Sequence, residues 1–293
     1  DAKRVPYETP FRGGSIHGGV QSRFGDQVKS IRCGSGLGDS LYLQAVARHL
    51  VRKGEKIEVC SDWPDVFRPL DGKVTVSPFR RQQVDIKAHY VYRKSIPGTN
   101  QFQDVCIRAG IREPVDFRLD WKPTSPRLVE KIRSMAPVVA VQLPRTPMDR
   151  KDGFGLELLP DCNIIQRALN RIRRHARIVQ VGKGEPLHRF TGIDLNLANR
   201  TSVAELIDAV WAADAMLGYV SFAVPLAESL NKPALFIWSR RGLASQHEFI
   251  KQVTPRKILH RASSRAVFDD CPEQELRGAA DALLAAIRSA ELV

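Results

Sequence analysis

The chain has 293 residues, 43% hydrophobic and 26% charged, which excludes a disordered or fibrous polymer and leaves enough apolar surface for two folded domains, each with its own core. Forty-five Lys and Arg against 32 Asp and Glu give a net charge of +13, so the expected partners are anionic: nucleic acid, an anionic membrane surface or a phosphorylated substrate. No stretch approaches the roughly 18 consecutive apolar residues of a membrane span and the N-terminus has no apolar run of signal-peptide type, so a cytoplasmic protein is expected.

Residues 1–26, rich in Gly and Arg, have no clear period and read as an N-terminal arm. Apolar periodicity then predicts strands over 27–33, 56–60, 73–76, 85–92 and 115–119, with helices over 40–53 and 101–109. The break Lys122-Pro123-Thr124-Ser125-Pro126 opens a linker over 122–136 between a first domain, 27–121, and a second, 137–271. In the second domain strands are expected over 138–143, 177–181, 215–218 and 234–238, and helices over 162–176, 202–212 and 222–230. The run Arg171-Ile172-Arg173-Arg174 falls near the end of one of these helices, where cations are favoured, and reads as a solvated face. Over 272–293, Leu276, Ala280, Leu283, Leu284 and Ile287 share one face of an amphipathic packing helix. Short hydrophobic strands alternating with helices define an α/β class: two Rossmann-like domains whose parallel sheets are covered on both faces and look onto a central cleft.

Cys33, Cys60, Cys106, Cys162 and Cys271 contain no C-x-x-C pair and read as buried free thiols rather than a zinc or disulfide framework. The seven His are in no metal-ligand spacing, and no Asp-x-Asp pair is present, so no metal and no cofactor are expected.

The turn Cys33-Gly34-Ser35-Gly36-Leu37-Gly38-Asp39-Ser40 joins the first strand to the first helix. Gly34, Gly36 and Gly38 permit positive φ and a close approach of ligand to main chain, and the helix start favours an anion. Asp39 reads either as a helix cap or as a catalytic carboxylate. Further loops that would border a cleft are 143–155, 182–187, 219–225 and 239–242.

These segments resemble glycosyltransferase family nine, the lipopolysaccharide heptosyltransferases of the GT-B class. Gly36-Leu37-Gly38-Asp39 resembles the family's N-terminal Gly-Asp turn, whose Asp deprotonates the acceptor hydroxyl. Arg145-Thr146-Pro147-Met148-Asp149-Arg150-Lys151 resembles its basic loop at the donor phosphates, with Lys151 matching its lysine. Val181-Gly182-Lys183-Gly184-Glu185 is similar to its turn near the donor nucleoside, and the stretch 196–206 to its N-L-x-G-x-T-S-x-x-E-L segment. A departure follows Gly218: where the family has an Asp-Ser-Gly-like phosphate turn and a downstream His, this chain reads Tyr219-Val220-Ser221-Phe222-Ala223-Val224-Pro225.

The resemblance implies sugar transfer from a nucleoside diphosphate co-substrate, without metal, with Asp39 as base and with Arg145, Lys151, Ser221 and Arg240 at the phosphates. Gly182, Lys183, Gly184 and Glu185 would lie near the nucleoside, although Lys183 and Glu185 also read as a polar turn, and Arg145 and Lys151 as a solvated basic loop. The implied acceptor is a lipopolysaccharide-like envelope glycan, which would place the protein at the inner membrane face; the charge equally suits modified nucleic acid. Two other classes stay open: a catalytically silent nucleic-acid or envelope-binding module, because of Val220, Phe222 and Pro225, and a dinucleotide oxidoreductase using Gly34, Gly36 and Gly38 with Asp62, whose G-x-G-x-G spacing is poor.

Overall fold

The structure is a computed structural model that describes residues 28–79, 83–90, 96–146, 156–246, 250 and 253–290. The expected arm, Val91 and Tyr92 at the end of an expected strand, and most of the basic loop, Lys151 included, lie outside these residues.

The first half contains β1 (Lys29–Arg32), α1 (Leu37–Arg52), β2 (Ile57–Cys60), β3 (Val74–Ser77) and the two-residue β4 (Ile86–Lys87). All pairings are parallel and the order across the sheet is β3-β2-β1-β4. Two helices follow, α2 (Gln101–Arg108) and α3 (Pro126–Arg133). Asn100 caps α2 reciprocally with Gln103, and a proline in the first turn of α3 costs no hydrogen bond.

The second half begins with β5 (Val138–Gln142), β6 (Arg145–Thr146), α4 (Cys162–Ile172), β7 (Arg177–Val181), β8 (Glu185–Pro186) and β9 (Leu195–Asn196). It continues with α5 (Val203–Ala212), β10 (Ala215–Tyr219), α6 (Ala223–Ser229), β11 (Ala234–Trp238), α7 (Arg240–Leu243), α8 (Pro255–Ile258), β12 (Ser264–Phe268) and α9 (Glu273–Ala290). Six strands form a wholly parallel sheet in the order β12-β11-β10-β5-β7-β9, and β6 pairs with β8 in a small antiparallel ribbon. This is the doubly wound dinucleotide-fold order, in which the chain starts at the centre and reverses direction across the first strand.

Both faces of the six-stranded sheet are covered, so its strands are apolar throughout. Val139, Val141, Ala215, Leu217, Leu235 and Ile237 point toward α4 and α9. Their neighbours Val138, Ala140, Met216, Ala234 and Phe236 point the other way, into an apolar cluster that continues without a break through α5, α6 and α1 to Ile31 and Val59 of the first sheet. Among the described residues no helix is long and apolar enough to cross a membrane.

Four expectations need correction. Of the strand expected over 85–92, only Ile86–Lys87 is strand among the described residues. The strand expected over 115–119 does not form. Its alternation is real, since Phe117, Leu119 and Trp121 are buried, but the segment runs as a strap: Leu119 N–H donates to the Ser229 carbonyl at 2.8 Å and Arg261 donates to the Phe117 carbonyl at 2.9 Å. The expected linker is partly helical, because α3 falls inside it, and it is anchored by Asp208 of α5. That fully buried carboxylate accepts from Trp121 Nε1 at 2.6 Å, from Thr124 N and Oγ1 at 2.9 and 2.8 Å, and from Ser125 N at 2.7 Å. Of the five cysteines, all free, Cys33, Cys60 and Cys106 are buried but Cys162 and Cys271 are partly exposed.

Candidate active site

In each sheet the strand order reverses beside the first strand, between β1 and β4 and again between β5 and β10. Loops leaving the carboxyl ends of such a strand pair diverge to opposite faces and leave a crevice. At the first reversal, the chain leaving β1 carries Cys33, the glycine turn and Asp39, and the chain leaving β4 carries Ala88, His89 and Tyr90.

Asp39 is the third residue of α1. Its Oδ2 accepts from Gly36 N–H at 3.0 Å, so the cap reading is realised by one oxygen. Its Oδ1 is buried and has no hydrogen-bond partner among the described residues. Burial raises the carboxyl above the usual carboxylate range; the Tyr90 hydroxyl, which donates to it, the Gly36 N–H and the nearby His89 pull in the opposite sense. His89 is itself lowered, by burial first and then by Arg108 and Arg32, against the pull of Asp39. Tyr90 is fixed in place. Its ring stacks on His89 at 5.0 Å and meets the buried Tyr42 edge-on at 6.4 Å. The thiol of Cys33, raised by burial and by Asp39, completes the surroundings.

The positive φ expected of the three glycines of this turn is not used, because none of them has it. They are needed for close approach. A Cβ at Gly34 would lie 2.3 Å from Asp39 Oδ2, so the carboxylate folds back over this residue. A Cβ at Gly38 would lie 3.0 Å from Pro225 Cγ and 3.6 Å from Phe222 Cα, so the start of α1 packs directly on the first turn of α6.

At the second reversal, Gln142 ends β5 and Tyr219 ends β10. Gln142 Nε2 donates to the Tyr219 hydroxyl at 3.5 Å, and the Ser221 hydroxyl donates to Gln142 Oε1. Ser221 Oγ also accepts from Ala223 N–H at 3.2 Å, which turns the chain into α6 without a side chain of the Asp type. Burial pushes the Tyr219 phenol up to about 12, so it remains a neutral hydroxyl.

Arg145, at the start of the β6–β8 ribbon, is buried, and its guanidinium donates to the Gly184 carbonyl. Asn199, itself at φ 60°, clamps the same residue, accepting from Gly184 N–H at 2.8 Å and donating to its carbonyl at 3.1 Å. Gly182 and Gly184 both sit at φ 112°, a conformation that side chains resist, so this turn requires glycine. The structure thus brings Arg145 together with Gly184 and Glu185, ties Gly182 to the same turn through Asn199, leaves Lys183 exposed, and joins Ser221 to Gln142. Arg240 is directed elsewhere: it forks onto Asp270 at 3.0–3.2 Å and lies 3.9 Å over the Phe268 ring. Among the described residues no group of three or more His, Cys, Asp or Glu is disposed to hold a metal ion.

Sequence patterns assigned no side-chain role to His89, Tyr90, Gln142, Tyr219 or Asn199, although Tyr219 opens an expected cleft loop. The first four stand at or just after the carboxyl ends of the strands flanking the two reversals, so the strand order would have found them; Asn199 lies in the 196–206 segment that carried the family resemblance, but its clamp on the Gly184 turn was not read from it.

The two parallel sheets, each with its strand order reversing beside its first strand, define a doubly wound α/β protein. No protein-family model matches the sequence, and no curated protein sequence does. Solved structures do align with it. ADP-heptose lipopolysaccharide heptosyltransferase II of E. coli is 13% identical, over 90% of this chain and 99% of that one, with a TM-score of 0.56. Glycosyltransferase family 9 of Veillonella parvula is 10% identical over 88% and 97%, with a TM-score of 0.62. E. coli heptosyltransferase WaaC with ADP is 13% identical over 90% and 99%, with a TM-score of 0.55. The chain therefore has the fold of the family nine heptosyltransferases, as its motif order implied, and at this identity the shared property is the fold.

Proposed function

We propose that this protein is a glycosyltransferase that moves a sugar from a nucleoside diphosphate to a hydroxyl of an anionic acceptor, with Asp39 as general base. The observation that carries the reading is the buried, unpartnered Oδ1 of Asp39 at the first reversal point. A buried carboxylate oxygen without a donor is costly, and such groups are kept where a substrate proton completes them. Desolvation strengthens the carboxylate as a base, and general-base action is worth about 10²–10⁴-fold in rate.

The contact of Gly38 with α6 supports an arrangement in which the two halves, divided at the 122–136 segment, present their crevices to a common cleft. In that arrangement the donor diphosphate would lie by Ser221, Arg145 and Lys151, with cations rather than a metal offsetting the growing charge of the leaving group. The turn Gly182-Lys183-Gly184-Glu185, held by Arg145 and Asn199, would border the nucleoside. The family resemblance favours an envelope glycan as acceptor, and the net charge is equally suited to nucleic acid.

A second reading, a silent binding module, is favoured by the same contact: Phe222 and Pro225 pack onto Gly38 where the family has its phosphate turn and His. Calorimetric titration with ADP, UDP, GDP and CMP, together with sugar-release assays on the corresponding nucleotide sugars, separates the two. The transferase reading expects one nucleotide to bind wild type and Asp39→Asn alike, with turnover falling at least about 10²-fold in the variant. Absence of nucleotide binding, or full turnover by Asp39→Asn, refutes it.

A further inference from the structure

On the sheet face opposite α1 and α6, the helices α4 and α9 flank a furrow of about 290 Å³. Its floor includes Leu276 and Ala280, and its walls carry Arg167, Arg171, Arg174 and Arg277, with no lysine. Two of the four guanidiniums are neutralised: Arg167 donates to Glu273 at 2.8 Å, and Arg171 forks onto Asp281 at 2.7 and 2.9 Å. Arg174 and Arg277 are exposed and make no hydrogen bond or ion pair within 4 Å among the described residues, Arg277 standing near enough to Asp281 to help hold its carboxyl low. The furrow is therefore left with a formal charge of +2, and α4 offers no acidic residue between Cys162 and Ile172 to offset it.

We propose that this furrow is a binding site for a phosphomonoester dianion, held by Arg174 and Arg277. Near neutral pH a phosphomonoester carries about −1.5 to −2 and presents three acceptor oxygens, which matches the residual charge and two planar forks. Exclusive use of arginine fits this chemistry, because the guanidinium meets phosphate through two parallel N–H groups and lysine cannot. A phosphodiester polymer spreads one charge per phosphate along its length and would leave a short concave furrow with two free forks half used. The dianion can belong to a soluble phosphate ester or to a phosphatidic-acid-type lipid headgroup; the recognition chemistry is the same.

The test follows the arginine Nε–Hε resonances of the full chain during titration with inorganic phosphate, against chloride at matched ionic strength. Assignments come from Arg174→Gln and Arg277→Gln, which remove exposed side chains that make no hydrogen bond and should leave the thermal midpoint within about a degree of wild type. The proposal expects the Arg174 and Arg277 signals to saturate with phosphate alone, and Arg277→Gln to weaken the binding reported at Arg174 by at least about tenfold. Asp39→Asn should leave that binding unchanged, which separates this furrow from the proposed donor site. Signals that drift equally with chloride, or saturation indifferent to Arg277→Gln, overturn it. Vesicles of phosphatidylcholine with phosphatidic acid identify the source: sedimentation with wild type but not with the double variant indicates a lipid headgroup, and saturable phosphate binding without vesicle binding indicates a soluble ester.

Discussion

Replacing Tyr90 with phenylalanine removes one hydroxyl and leaves the ring, with its stack on His89 and its edge contact to Tyr42, unchanged. That hydroxyl donates to Asp39, whose carboxyl is raised by burial despite it. A hydrogen bond to a charged acceptor contributes about 1.5–3 kcal/mol, and one to a neutral carboxyl about 0.5–1.5 kcal/mol. The sign follows from linkage. Asp39 titrates at higher pH in the folded protein than in the unfolded chain, so its ionisation disfavours the fold, beginning near the unfolded value and fully developed above the folded one. Loss of the Tyr90 donor raises the folded value further. Tyr90→Phe should therefore lose about 1.5–3 kcal/mol at a pH above the folded titration of Asp39 and roughly 1 kcal/mol less at pH 3, where Asp39 is protonated in both states. Urea unfolding of wild type and variant at both pH values measures the difference, and comparison at each pH cancels the titration of every other carboxylate. The ¹³C carboxyl resonance of Asp39 should move its titration upward in the variant. An equal loss at both pH values, with the Asp39 titration unmoved, would refute the hydrogen bond and leave Tyr90 a packing residue.

Asp208→Ala leaves the donors of Trp121, Thr124 and Ser125 facing an apolar methyl in a fully buried site, and should cost about 3–5 kcal/mol in urea unfolding, with a shift in Trp121 emission. Gly38→Ala adds a methyl group 3.0 Å from the Pro225 ring, which cannot rotate aside; a loss of about 1–3 kcal/mol is expected, and Pro225→Ala in the same chain should recover most of it. A double-mutant cycle that gives purely additive effects would show that α1 and α6 do not meet there.

Fold class and nearly every long element were legible because the apolar strands of a covered parallel sheet and the periodic faces of α4, α5 and α9 are strong local signals. The 115–119 segment was misread because period-2 alternation reports which side chains are buried, and a strap on a core shares that pattern with a strand. Strand β12, Ser264–Phe268, was missed because only Val267 of its apolar residues is fully buried, as befits an edge. Asp39 stood out because a glycine turn into a helix is a sequence motif. Its partners did not, because Tyr90 is separated from it by more than fifty residues and meets it only through the reversal of strand order. Arg240 was credited for its charge and for its place in a loop after a strand, and neither says anything of Asp270 thirty residues downstream.

The unbroken apolar cluster that joins the two sheets limits how the halves can move. A hinge that swung them apart would pull α1 from α6 and expose Leu41, Ala45, Val224 and Ala227, all at most 1% accessible, to water. Sliding one packed helix along the other keeps those side chains covered, so shear is the low-cost coordinate. Under the proposed transfer function, an acceptor would then have to enter without the halves parting.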